Sequence, residues 1–135
     1  MTTTSPSLHL ALLFLRVISG LMMLFGHGWS KLLKVMSGDF AFAKIMGMPP
    51  AMGLILAVIV EVGAAALLIV GFKSRIMAAL LFLTMLSAIL FYHTTDPLFA
   101  ANAGGGGSKE MAIMYAVIFL ALTLTGGGKY SIKER

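Results

Sequence analysis

Glu61 lies in the middle of an apolar run, 51–72, that holds no other charge, and Arg16 is the only charge inside the first apolar run, 8–28. Each run is long enough to cross a bilayer. A charged side chain at mid-depth in lipid is costly and calls for a partner. Counting from Leu8 puts Arg16 about 12 Å into the membrane, and counting from Ala51 puts Glu61 about 15 Å below that end. The two are therefore expected to pair. Such a pair has two readings: a clamp that fixes helix register, or a group that handles protons or anchors a ligand.

A second group of polar residues gathers at the other ends of the runs. His27 and Lys31 come from the first, Tyr92 and His93 from the third, Glu110 and Tyr115 from the fourth, with Asp96 on a loop. Two histidines with carboxylates nearby can shuttle protons near neutral pH. The same residue types are also ordinary decoration at headgroup depth. His27 and His93 are too far apart in sequence to form a spaced metal motif. The chain has no cysteine, which excludes thiolate chemistry and cysteine-bound clusters. It also lacks a haem-attachment motif, a P-loop and a dinucleotide fingerprint. The expected catalytic set is Glu61, His27, His93 and Glu110, the expected ligand contacts are Arg16, Lys31, Tyr92 and Tyr115, and no metal is expected.

These residues need elements to hold them. Of 135 residues, 59% are hydrophobic and 11% charged, more apolar surface than a small soluble domain can bury. The apolar residues fall in four blocks, 8–28, 51–72, 76–92 and 111–126. Pro49 and Pro50 open the second, the basic turn 73–75 separates the second from the third, Asp96-Pro97 follows the third and Gly126-Gly127-Gly128 ends the fourth. The expectation is an all-α, integral membrane, antiparallel four-helix bundle, one transmembrane domain over 1–135. The residues before the first run carry no Lys or Arg and Arg16 interrupts that run, so it reads as a retained span, not a cleaved signal.

Gly53, Ala57, Glu61 and Ala65 recur every four residues, a small-residue face that turns Glu61 into the bundle. Arg16, Ser19, Gly20, Met23, His27 and Lys31 form a stripe on the first helix. Trp29 reads as an interfacial anchor and the methionines as core filler. His9 has no evident partner. The run Gly104-Gly105-Gly106-Gly107-Ser108 reads as a flexible loop, natural or inserted. Net charge is +5, placed at span ends and in loops, which suits headgroup contact and not nucleic acid. Lys73, Arg75, Lys129, Lys133 and Arg135 would share one side, against Lys31, Lys34, Lys44 and Lys109 on the other. The short, purely basic 73–75 turn then places both termini in the cytoplasm.

Several segments resemble the DoxX family of small bacterial membrane proteins. They are Arg16, Gly20 and the stretch Gly26-His27-Gly28-Trp29-Ser30-Lys31-Leu32; Met46-Gly47-Met48-Pro49; Glu61-Val62-Gly63 leading to Leu68-Ile69-Val70-Gly71-Phe72-Lys73-Ser74-Arg75; Phe91-Tyr92-His93; Lys109-Glu110; and Thr125-Gly126-Gly127-Gly128-Lys129-Tyr130-Ser131. The resemblance spans nearly the whole chain, with the glycine-rich loop as a departure. It implies a multi-pass four-helix protein of the bacterial inner membrane with a redox association. The implied function is binding of a quinone or small phenol beside an oxidoreductase partner in a lipid bilayer, with a homo-oligomer as one arrangement left open. The chain offers no electron-carrying group, so any oxidoreductase activity needs a partner or bound cofactor. Two rivals remain: a small proton-coupled transporter using Glu61, and a membrane scaffold for a soluble oxidoreductase.

Overall fold

The computed structural model describes residues 5–134. Residues 1–4 and Arg135, which enter the readings of the N-terminus and of the basic side, lie outside them. Among the described residues the fold is all-α, without strands. Three helices are long and apolar enough to cross a membrane: α1, Pro6–Met36; α2, Pro50–Val70; and α3, Ser74–Tyr92. A shorter apolar helix, α4, spans Glu110–Thr125.

Local chemistry sets these limits. Ser5 caps α1, its Oγ accepting from the Leu8 amide at 3.4 Å, and Pro6 fills the first turn, where no N–H is needed. Nothing after Gly28 breaks the helix, so α1 runs on through the amphipathic stretch Trp29–Met36. At 31 residues it is about 46 Å long, more than a hydrocarbon core requires. Gly71, with φ of 82°, ends α2 in the left-handed conformation that favours glycine.

The core runs along the inner faces of all four helices, through Met23, Leu68, Leu81 and Phe119, all fully buried. The outer faces carry exposed Phe14, Ile59, Leu83, Val117 and Leu124, the apolar surface a lipid-facing protein presents. Glycine brings α1 and α2 together: a Cβ on Gly28 would lie 2.8 Å from the Glu61 carbonyl oxygen, whereas one on Gly26 would meet nothing within 4 Å. Gly28→Ala must push two backbones apart and is expected to cost about 1–3 kcal/mol. Gly26→Ala should leave stability unchanged or raise it slightly. Unfolding of both variants in mixed micelles checks this; equal losses would remove the close contact as the cause.

The opposite end of the bundle is closed by the C-terminal segment. The Lys133 amide donates to the Gly71 carbonyl at 3.1 Å, and the Lys73 amide to that of Lys133 at 2.5 Å. Arg75 donates to the carbonyls of Thr123, Leu124 and Thr125, satisfying the last turn of α4. The Arg16 guanidinium, 2% exposed, donates to the Gly127 and Tyr130 carbonyls at 3.1 and 3.2 Å and to Ser131 Oγ at 2.5 Å.

This corrects the expected Arg16–Glu61 pair. Arg16 lies level with Gly71, ten residues, or about 15 Å, beyond Glu61 along α2. Measuring depth from the start of each apolar run failed because α1 extends well past its apolar stretch, which shifts Arg16 toward the end closed by the tail. His9 is also corrected: its Nδ1 accepts from the Lys129 amide at 3.3 Å.

Candidate functional site

Each of the three long helices contains a π-helical turn: Leu24–Gly28 in α1, Ile59–Ala64 in α2 and Ala88–Tyr92 at the end of α3. A π turn adds one residue to a helical turn and is frequent at functional sites. These turns contain His27, Glu61 and Tyr92 respectively. The first two pack directly on each other, Gly28 against the Glu61 backbone.

The partner of Glu61 is Lys31. Its Nζ lies 2.5 Å from Glu61 Oε2, and the two side chains are 22% and 5% exposed. Lys31 stands about one turn beyond His27 on α1. His27 meets the edge of the Tyr115 ring at 5.4 Å, and Tyr115 stacks on Phe119 at 5.8 Å. On α3, Tyr92 touches the His93 ring at 4.9 Å and the Phe42 ring at 6.2 Å. His93 Nδ1 is 2.6 Å from Asp96 Oδ2 on the following loop.

These groups surround a partly open cavity of about 770 Å³. His27, Lys31, Glu61, Tyr92, His93 and Tyr115 all line it, so six of the residues named from sequence come together. Arg16 and Glu110 do not. Arg16 is held by the C-terminal segment at the far end. Glu110 Oε2 accepts from the Ala100 amide at 2.7 Å and so ties a short 3₁₀ turn, Ala100–Asn102, to the start of α4.

Sequence reasoning missed part of the wall. Phe42, Met46 and Met48 close it from the loop after α1, and Thr84 and Ser87 face it from α3. The i,i+3 spacing of two hydroxyls in an apolar run was the available signal. Both hydroxyls spend their proton on backbone carbonyls, Thr84 on Leu80 and Ser87 on Thr84. Their oxygens can still accept from a ligand. Ser108, from the glycine-rich loop, also reaches the cavity. Among the described residues no three His, Asp or Glu side chains come together as a metal-binding group.

The arrangement can bind a group with an apolar body and polar substituents. It offers one fixed ammonium–carboxylate pair and two imidazoles within reach of a proton. The family model for DoxX matches residues 11–94, which include α2, α3 and most of α1.

The chain belongs to the DoxX family.

The DoxX match covers the His27, Lys31, Glu61, Tyr92 and His93 part of the cavity wall, while Tyr115 lies beyond it. Inner membrane protein YphA of Escherichia coli strain K12 is 32% identical over 100 residues, 73% of this chain and 71% of that protein. A protein of Bacillus subtilis strain 168 named putative oxidoreductase CatD is 33% identical over 119 residues, 88% of this chain and 83% of that protein. An uncharacterised protein of Haemophilus influenzae is 29% identical over 126 residues, 92% of this chain and 89% of that protein. No solved structure matches. Family membership and the apolar helices make this DoxX chain a membrane protein.

Proposed function

We propose that this DoxX-family protein is an antiparallel four-helix bundle of the bacterial inner membrane, with both termini in the cytoplasm. In it, a quinone or small phenol binds beside Lys31 and Glu61 and works with an oxidoreductase partner. The carrying observation is the cavity itself: an apolar chamber with the Lys31–Glu61 pair, its carboxylate buried, and His27 on its wall. The name of the Bacillus subtilis relative supports a redox setting. The fit to a quinone-like ring is chemical. Lys31 can donate to a ring oxygen, Tyr92 can do so as well, and Phe42 and Tyr115 give flat apolar faces. Interconverting quinone and quinol moves two electrons and two protons. The partner would carry the electrons, since no side chain here can, and Glu61, His27 and His93 would hold or relay the protons.

Ring binding to the purified protein tests this reading. A short-chain quinone should bind, and His27→Ala or Glu61→Gln should weaken it about tenfold or more, the scale of one lost charge-assisted hydrogen bond. Wild-type affinity in both variants would overturn the site. The transporter reading needs a carboxylate free to exchange protons for cargo, and the Lys31 contact weighs against it. Proton-coupled cation flux in proteoliposomes, lost in Glu61→Gln, would restore that reading.

A further inference from the structure

The cavity has two unlike kinds of wall. Lys31, Lys34, His93 and Ser108 line it where α1, α3 and the 94–109 loop meet. Leu56 on α2 and Leu80 and Leu83 on α3 line another side, with Leu56 five residues nearer the start of α2 than Glu61. Leu80 lies twelve residues before Tyr92, so the chamber extends about 18 Å along α3 from that helix's end. The leucines are not a sealed floor. Leu56 is 44% exposed, Leu80 39% and Leu83 57%, on helices whose outer faces meet lipid. The chamber therefore opens sideways between α2 and α3, at a depth of hydrocarbon and not of water.

A site that is polar on one side and open to acyl chains on another suits one shape of ligand. From this we infer that the ligand is a membrane-dissolved amphiphile, a quinone-type head with a long isoprenoid or alkyl tail. It is admitted sideways between α2 and α3, its head against Lys31 and Glu61 and its tail leaving between Leu56 and Leu83. A water-soluble phenol has no use for the second opening. The lateral route keeps the tail in lipid throughout, so no apolar segment crosses water at any stage of binding. The inference rests on the ring-binding reading above and adds the ligand's second half and its route.

The test compares a long-tailed quinone with its tail-less ring analogue in lipid nanodiscs, for wild type, Leu83→Trp and Leu56→Trp. Both leucines are already exposed, so a larger side chain fits the fold while filling the gap. Partition of the tailed ligand into lipid is the same for all three proteins and cancels in the comparison. Each variant should weaken the tailed quinone about tenfold and leave the ring analogue unchanged. Equal loss for both ligands, or no loss for either, overturns the lateral route and the tail. A ring analogue that binds in a His27- and Glu61-dependent way while the tailed ligand ignores both tryptophans sinks this inference alone. If neither ligand binds wild type, the ring-binding reading itself has failed.

Discussion

Lys31→Met is expected to destabilise the protein by about 3 kcal/mol or more, because it strands a carboxylate in an apolar bundle. Glu61 is 3% exposed as a residue, and among the described residues its ion-pair partner is Lys31. Removing one member of a buried pair costs about 3–5 kcal/mol, since the other charge stays where water cannot reach it. Lys31 is partly exposed, which puts the expectation at the low end of that range. Joining Lys31→Met with Glu61→Leu should recover most of the loss, because well-packed apolar residues often replace a buried pair at little cost. A double-mutant cycle by unfolding in mixed micelles reads this directly. A loss of about 0–1 kcal/mol for the single variant, as at an exposed pair, would mean that water reaches Glu61 through the cavity.

The second large effect belongs to Arg16. Arg16→Lys keeps the charge but cannot keep the contacts, since one ammonium cannot hold the Gly127 carbonyl, the Tyr130 carbonyl and Ser131 Oγ in the same fork. The expected result is a loss of about 2–3 kcal/mol, with the C-terminal segment released and Lys129 and Lys133 cut rapidly by trypsin. Unchanged proteolysis would show that the tail is held by the Gly71 and Lys73 backbone bonds alone. Glu134 adds a pH term. Burial acts to raise its pKa, but the neighbouring Ser74 and Ser131 hydroxyls, the Gly127 amide, which donates to Glu134 Oε1 at 2.9 Å, and Arg16 together hold it below the ordinary carboxylate value. A carboxylate lowered by folding stabilises fully above its unfolded pKa and loses that contribution as pH falls through the lowered one. Tail release should therefore rise on acidification across that window, and Glu134→Gln should flatten the dependence.

The helical segments and the inward turn of Glu61 could be read from residues alone, because both rest on local pattern. Apolar blocks bounded by Pro and Gly mark helices, and Gly53, Ala57 and Ala65 mark the side on which Glu61 is buried. Partners were harder, since they depend on where helices lie relative to one another. Lys31 was visible as a polar residue near the site but sits three residues beyond the apolar run, so counting depth from that run made Arg16 look the better match. The return of 127–134 onto Gly71 and Arg16 is a contact across more than 110 residues of chain, with no periodic signal to announce it. The π turns leave no mark either, because one additional residue in an apolar helix changes no residue type.

The π turns of α1 and α2 separate two jobs within each of those helices. An inserted residue rotates everything beyond it by about 100° relative to an uninterrupted helix. On α1 the residues before Leu24 keep the phase that packs Gly20 against Ile69, while those after Gly28 take a new phase that aims Lys31 at Glu61. The inner half of the molecule can thus stay a tightly interlocked bundle while the outer half is indexed separately, like the two scales of a vernier. Gain or loss of one residue in 24–28 would re-aim the site without repacking the core beneath it, so related chains can differ in what they bind while sharing one frame.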